Sequence, residues 1–116
     1  MIINLLYRQA DEKEVQRLLP LLNAGSGSRV AEIGAGQGAL VKSIAKVLGP
    51  SSKIYATEFE AEKLEELKKI IAVSALYNLE VVEAGETAQN LPENSLDGIF
   101  MRLSGNLRSF CSLIFY

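Results

Sequence analysis

The sequence predicts an α/β domain built on a parallel β-sheet. Short apolar stretches of strand length alternate along the chain with segments whose apolar residues recur at helical spacing. The first predicted strand also runs directly into a glycine-rich turn and then a helix, which is the order found where such sheets bind nucleotide-like ligands. Strands that alternate with helices imply parallel neighbours joined by right-handed crossovers.

The size and composition of the chain predict a single domain over residues 1–116. Of these 116 residues, 48% are hydrophobic and 22% are charged, which is ordinary for a globular protein with one core. The chain contains no histidine, which excludes a histidine base, a histidine ligand or a Ser-His-Asp triad within it. Its one cysteine, Cys111, excludes an internal disulfide and argues against a cysteine metal site. We therefore expect no metal.

The charge and hydropathy patterns argue against two classes of partner. The formal net charge is −2 and the basic residues form no cluster, so we expect no nucleic-acid binding. No apolar run approaches the roughly 18 residues of a membrane span. The first ten residues lack the basic start and the long apolar stretch of a signal peptide. We therefore expect no membrane partner and a cytoplasmic location.

A first helix is predicted over residues 11–22. Its apolar residues share one face: Val15, Leu18, Leu19 and Leu22. Asp11 and Glu14 have the spacing of a capping box at the start. Pro20 should kink or end the helix, because a proline pushes the preceding residue away from helical angles.

The glycine turn follows a short apolar strand at residues 30–33. Residues 29–40 read RVAEIGAGQGAL, with glycine at positions 34, 36 and 38. Glycine has no Cβ, so the backbone can turn tightly and a ligand can approach the main chain. A helix predicted over residues 38–48 would point its free N–H groups at that ligand, and Gly49 and Pro50 would stop it.

Glu58 follows the second predicted strand, residues 53–57, and lies 20 residues after Gly38. Ligands bind beyond the carboxyl ends of the strands in open α/β sheets, and a carboxylate there can accept both hydroxyls of a ribose. An acid favoured by the dipole of the next helix is the alternative interpretation. That helix is predicted over residues 60–75, and further strands are predicted over 79–83 and 96–101, separated by a polar loop.

Two ligands fit the glycine turn. The spacing Gly34-x-Gly36-x-x-Ala39 matches a dinucleotide site. The spacing Glu32-x-Gly34-x-Gly36-x-Gly38 resembles motif I of the class I S-adenosyl-L-methionine (SAM) dependent methyltransferases. The acid favours the second interpretation, because a carboxylate can meet the ammonium of a methionine moiety, directly or through water, but is unfavourable beside a pyrophosphate. A plain strand–turn–helix corner without a ligand is a third possibility.

The resemblance extends over residues 11–102. The run at residues 81–102, VVEAGETAQNLPENSLDGIFMR, is similar to the region between the third and fourth strands of small-molecule methyltransferases, with Leu91-Pro92 and Asp97 in the matching places. We expect Asp97 to orient the fourth strand. The resemblance implies a Rossmann-like parallel sheet of about four strands, in the order 3-2-1-4, with helices on both faces. This is the N-terminal half of a family sheet whose usual order is 3-2-1-4-5-7-6.

The resemblance also implies a cofactor, SAM, and the parts of the chain that hold it. The glycines would seat its methionine and ribose portions, Glu32 would face its ammonium group and Glu58 would hold its ribose. The loop after the third strand would meet the adenine, and the end of the fourth strand would border the methyl group. The cofactor-binding residues implied in this way are Glu32, Gly34, Ala35, Gly36, Gly38, Glu58, Gly85, Glu86, Met101 and Arg102. The resemblance identifies no catalytic residue.

Residues 103–116 depart from the family pattern. Seven of the ten residues from 107 to 116 are apolar or aromatic, where the family continues with a helix and three more strands. We therefore expect a C-terminally shortened domain. The apolar tail would cover the exposed edge of the fourth strand within the chain, or pair with another chain to form a homodimer.

The resemblance thus implies a SAM-dependent methyltransferase domain, and the acidic pI favours a small-molecule acceptor. A non-catalytic SAM-binding remnant, which works by pairing with a partner, is one alternative. A fragment of an NAD-dependent oxidoreductase is another, and Glu32 argues against it.

Overall fold

The computed structural model describes residues 13, 15–85, 90–92, 95–102 and 110–113, and for Arg102 and residues 110–113 it describes the backbone alone. The helices and strands in chain order are α1 (15–21), β1 (Arg29–Ile33), α2 (Ala39–Leu48), β2 (Lys53–Glu58), α3 (Ala61–Ser74), β3 (Leu79–Glu83), β4 (Gly98–Arg102) and β5 (Phe110–Leu113). None of the helices in these ranges is long and apolar enough to cross a membrane.

The strands form one sheet in the order β3-β2-β1-β4-β5. The β1–β2, β1–β4 and β2–β3 pairs are parallel, so the predicted order 3-2-1-4 is confirmed. In a parallel sheet the carboxyl ends of neighbouring strands lie at the same edge. The residues that follow β1, β2 and β3 therefore meet there.

The three helices pack against one face of the sheet. They share a single buried cluster with alternate strand residues, which include Val15, Leu18, Leu22, Leu40, Val41, Ile44, Ile54, Leu67, Leu79 and Phe100. The crossovers through α2 and α3 step across the sheet in the same direction, so right-handed connections place both helices on the same side. The step from β3 to β4 runs the other way, but residues 84–85, 90–92 and 95–97 contain no helix. Within the described residues the helices thus lie on one face, not on both as we predicted.

The C-terminal end of α1 is fixed by a local hydrogen bond. Helix α1 ends just after Pro20, as predicted, and Asn23 takes a left-handed φ of 53°. The N–H of Asn23 donates to Pro20 O at 3.1 Å, which satisfies a carbonyl in the last turn. The predicted capping pair of Asp11 and Glu14 lies outside the described residues.

Asp97 joins the start of β4 to β1. Its carboxylate Oδ2 accepts a hydrogen bond from the N–H of Arg29 at 2.8 Å, and its own N–H donates to Arg29 O at 2.7 Å. Strand β4 therefore begins at Gly98, two residues later than we predicted. The expectation that Asp97 orients the fourth strand is confirmed.

The apolar tail contributes a fifth strand. Strand β5 pairs antiparallel with β4, with Ile99 opposite Leu113 and Met101 opposite Cys111. The expectation that the tail covers the edge of the fourth strand within the chain is confirmed for residues 110–113. The β4 edge that we expected to be exposed is therefore occupied, and the outer strand of the described sheet on this side is β5.

Candidate functional site

The carboxyl ends of β1, β2 and β4 bring most of the predicted site residues together. Glu32 in β1 is in register with Ala56 in β2, and Ile33 in register with Met101 in β4. Glu58 ends β2 and is in register with Glu83 at the end of β3. The glycine turn leaves β1 at this same edge, so its backbone lies beside the end of β2.

The three turn glycines all need left-handed backbone angles, but they differ in what surrounds them. Gly34, Gly36 and Gly38 have φ values of 70°, 62° and 78°. A Cβ built on Gly34 or Gly36 would meet no heavy atom within 4 Å. A Cβ built on Gly38 would lie 2.9 Å from Leu67 Cδ1 and 3.3 Å from Ile71 Cδ1. Gly34 and Gly36 therefore border open space, whereas Gly38 allows α2 to pack closely against α3.

The carboxylate of Glu58 is held in place by two backbone amides. Its Oε2 accepts a hydrogen bond from the N–H of Gly36 at 3.0 Å, and its Oε1 accepts one from the N–H of Phe59 at 3.1 Å. The side chain is 8% exposed. A carboxylate has about four lone-pair sites, so these two bonds leave capacity for further donors. The N-cap residue of α3, Glu60, makes no side-chain cap hydrogen bond.

Glu32 is fully buried near the carboxyl end of β1. It is 1% exposed, and its backbone oxygen accepts a hydrogen bond from the Thr57 hydroxyl at 3.0 Å. Buried acids in proteins are held by polar or charged groups. Almost none of its surface reaches solvent, so a contact with a ligand ammonium would run through intervening water or protein groups.

The remaining predicted site residues differ in where they lie. Ala35 is buried in the turn, with its N–H donating to Thr57 O at 2.8 Å. Gly85 and Met101 are half-buried near the same edge of the sheet. Glu86 lies outside the described residues, and Arg102 lies at the end of β4.

Two residues with well-defined contacts, Thr57 and Asn78, were not predicted from the sequence. Thr57 contacts the glycine turn through both its side chain and its backbone. Asn78 donates its side-chain amide to Ala45 O at 3.0 Å and to Gly49 O at 2.8 Å, at the end of α2. A threonine inside an apolar strand and an asparagine in a turn are common, so neither residue carries a local signal. The described residues contain no group of three side chains that could hold a metal ion.

Comparison with known proteins supports the family suggested by the glycine turn. No family model matches the chain. A protein-L-isoaspartate O-methyltransferase of Methanococcus maripaludis is 29% identical over 84 residues, which are 72% of this chain and 40% of that protein. The crystal structure of a SAM-dependent methyltransferase from Aquifex aeolicus superposes with a TM-score of 0.68 at 27% identity, over 76% of this chain and 47% of that chain. The fold is that of the class I SAM-dependent methyltransferases.

The chain spans less than half the length of these methyltransferases, and its strand order is that of the N-terminal part of their fold. A third methyltransferase, coclaurine N-methyltransferase bound to N-methylheliamine and S-adenosylhomocysteine (SAH), has the same fold, with a TM-score of 0.55 and 22% identity over 65% of this chain and 22% of that one. These neighbours support SAM as the cofactor that the glycine turn predicted.

Proposed function

We propose that this chain binds SAM and forms the cofactor-binding half of a methyltransferase that acts on a small-molecule acceptor. The observation that carries the proposal is the 3.0 Å hydrogen bond from the Gly36 N–H to the Glu58 carboxylate. It joins the glycine turn to the acid at the end of β2, which are the two features from which SAM binding was predicted. It also leaves carboxylate lone pairs of Glu58 available beside the open space at Gly34 and Gly36.

The residues present fit SAM, since open backbone and an oriented acid lie at one edge of the sheet. Glu58 would accept the ribose hydroxyls, and the turn at Gly34 and Gly36 would lie against the methionine and ribose portions. Glu32 would act on the ammonium group through intervening groups. SAM supplies the activated methyl group when bound. This part of the chain would bind and orient SAM and exclude water from it. Charge-assisted hydrogen bonds, such as those to the carboxylate of Glu58, are among the stronger ones.

The proposal is tested by titrating residues 1–116 with SAH in a calorimeter, alongside Glu58→Ala and Glu65→Ala. Glu65 is an exposed acid on α3 that contacts Lys68 at 3.6 Å, so it controls for the lost charge. We expect micromolar binding by the wild type and by Glu65→Ala, and loss of binding by Glu58→Ala. Absence of SAH binding by a folded wild-type chain, or displacement of SAH by equimolar NAD, would refute the proposal.

A small-molecule acceptor is supported by the net charge of −2 and by solved structures of this fold with small-molecule substrates. A second candidate is the carboxylate of an isoaspartyl residue in a protein, favoured by the 29% identity to a protein-L-isoaspartate O-methyltransferase. Transfer of labelled methyl from SAM to an isoaspartyl peptide, and not to the matched aspartyl peptide, would select the second candidate.

A non-catalytic SAM-binding module is the alternative. It would bind SAH in the titration above and transfer no methyl group to any acceptor. We also propose a cytoplasmic location and no binding to nucleic acid.

A further inference from the structure

Thr57 connects the end of β2 to the glycine turn. Its hydroxyl donates to Glu32 O at 3.0 Å and accepts a longer hydrogen bond from the N–H of Gly34 at 3.4 Å. Its backbone oxygen accepts a hydrogen bond from the N–H of Ala35 at 2.8 Å. The residue is fully buried, with 0% of its surface exposed. One β2 residue therefore contacts three positions at the start of the turn.

The arrangement requires a hydroxyl and not merely a side chain of this shape. A hydroxyl can donate one hydrogen bond and accept others at the same time, and here it does both. Valine has nearly the same shape but would leave the Glu32 carbonyl and the Gly34 N–H without this partner. A buried backbone group that loses its partner carries a free-energy cost, so the turn would relax to find another.

Thr57 and Glu58 hold the turn from opposite sides of the sheet. Successive residues of a strand point to opposite faces, and these two contact alternate residues of the turn, Gly34 and Gly36. Gly34 and Gly36 border open space in this held conformation. A turn fixed before the ligand arrives loses less conformational entropy on binding, which raises affinity.

We infer that Thr57 is a positioning residue for the cofactor site: its hydroxyl fixes the glycine turn in the conformation that receives SAM. The inference rests on the proposed function, because it concerns the same site. It also has a consequence that is independent of any ligand, since the hydroxyl should protect the Gly34 N–H from exchange with solvent.

The test compares Thr57→Val with Thr57→Ser by SAH calorimetry and by amide hydrogen exchange. The loss of one hydrogen bond of ordinary strength and of one longer, weaker bond predicts a roughly 5- to 20-fold weaker SAH affinity for Thr57→Val. Thr57→Ser keeps the hydroxyl and should bind within about threefold of the wild type. Exchange at Gly34 should accelerate in Thr57→Val and not in Thr57→Ser. The N–H of Ile54, which donates to Asn78 O at 2.8 Å, reports on the rest of the sheet and should not change.

A second pair keeps the test decisive if Thr57→Val does not fold. Thr57→Ser and Thr57→Ala both lack the γ-methyl group and differ in the hydroxyl, so the same difference should appear between them. Equal SAH affinity and equal Gly34 exchange in a pair that differs in the hydroxyl would overturn the inference. If the wild type binds no SAH, the proposed function fails, while the exchange at Gly34 still supports or refutes the role of the hydroxyl.

Discussion

The carboxylate of Glu58 and the backbone amide of Gly36 lie 3.0 Å apart and share a hydrogen bond, although 22 residues separate them in the chain. Gly36 needs its left-handed φ of 62° to present that amide, and Glu58 needs its place at the end of β2 to accept it. The two motifs that suggested a SAM site are thus one hydrogen-bonded unit. A change at either residue should alter both the turn and the proposed ribose contact.

Replacing Glu58 by glutamine should weaken SAH binding by roughly 10- to 100-fold, because hydrogen bonds to a charged group contribute about 1.5–3 kcal/mol. The glutamine oxygen can accept from one of the two amides, but its NH₂ group would then face the N–H of Gly36 or of Phe59. Calorimetry gives the affinity, and the amide resonance of Gly36 reports the lost bond. Glu65→Gln is the matched control on an exposed face and should bind as the wild type does. Unchanged affinity in Glu58→Gln would contradict the ribose role.

The glycines of the turn should separate into two classes when each is replaced by alanine. Both Gly34→Ala and Gly38→Ala place a Cβ in a left-handed conformation, which costs roughly 1–2 kcal/mol of stability. Gly38→Ala adds the 2.9 Å contact with Leu67 Cδ1, so it should be the less stable variant by about a further 1 kcal/mol. Gly34→Ala instead puts a methyl group into the space proposed for the ligand.

Urea denaturation and SAH calorimetry together measure this division. We expect Gly38→Ala to lower the free energy of unfolding more than Gly34→Ala does. Relative to that loss of stability, we expect Gly34→Ala to show the greater loss of SAH affinity. Equal losses of stability in the two variants would mean that α3 yields freely at Gly38, and the packing role assigned to that glycine would be wrong.

Asn78 should contribute to stability without contributing to the site. Its amide bonds Ala45 O and Gly49 O, and each of these carbonyls also accepts a backbone hydrogen bond. Asn78→Ala should therefore lower the free energy of unfolding by about 1–2 kcal/mol. Asn78→Asp should lower it further, because a carboxylate would face two carbonyls at the negative end of the α2 dipole. Urea denaturation measures both values, and a more stable Asp variant would be inconsistent with this geometry. SAH affinity should not change, since Asn78 precedes the amino end of β3.

Local sequence patterns predicted the parallel sheet and the place of Glu58. The alternation of strands and helices along the chain is a local signal, and right-handed crossovers then make neighbouring strands parallel. They did not distinguish Gly38 from Gly34, since that difference comes from Leu67 and Ile71 on another helix. They also missed Thr57 and Asn78, whose partners at the glycine turn and at the end of α2 lie 22 to 33 residues away in the chain. The number of helical layers was predicted from the family resemblance, and the described part of the β3–β4 connection has no helix to form the second layer.

The pairing of β5 with β4 predicts how the chain behaves when the tail is removed. Four register positions, from Ile99 with Leu113 to Arg102 with Phe110, occupy the outer edge of β4. Deleting residues 103–116 would leave that edge with unpaired N–H and C=O groups beside the half-buried side chains of Ile99 and Met101. Open apolar edges pair with other chains, so we expect the deletion to associate more strongly than the full chain.

Sedimentation velocity over a series of concentrations up to tens of micromolar measures this association. Deletion of residues 114–116 alone is the matched control, since it keeps all four positions of β5, and it should sediment as the full chain does. If the tail were the surface that joins two copies, the longer deletion would instead yield a monomer where the full chain is a dimer. The quantity to compare is the average number of chains per particle. A smaller number after the deletion would therefore contradict the protective role of β5, and a larger number would show that the strand shields β4.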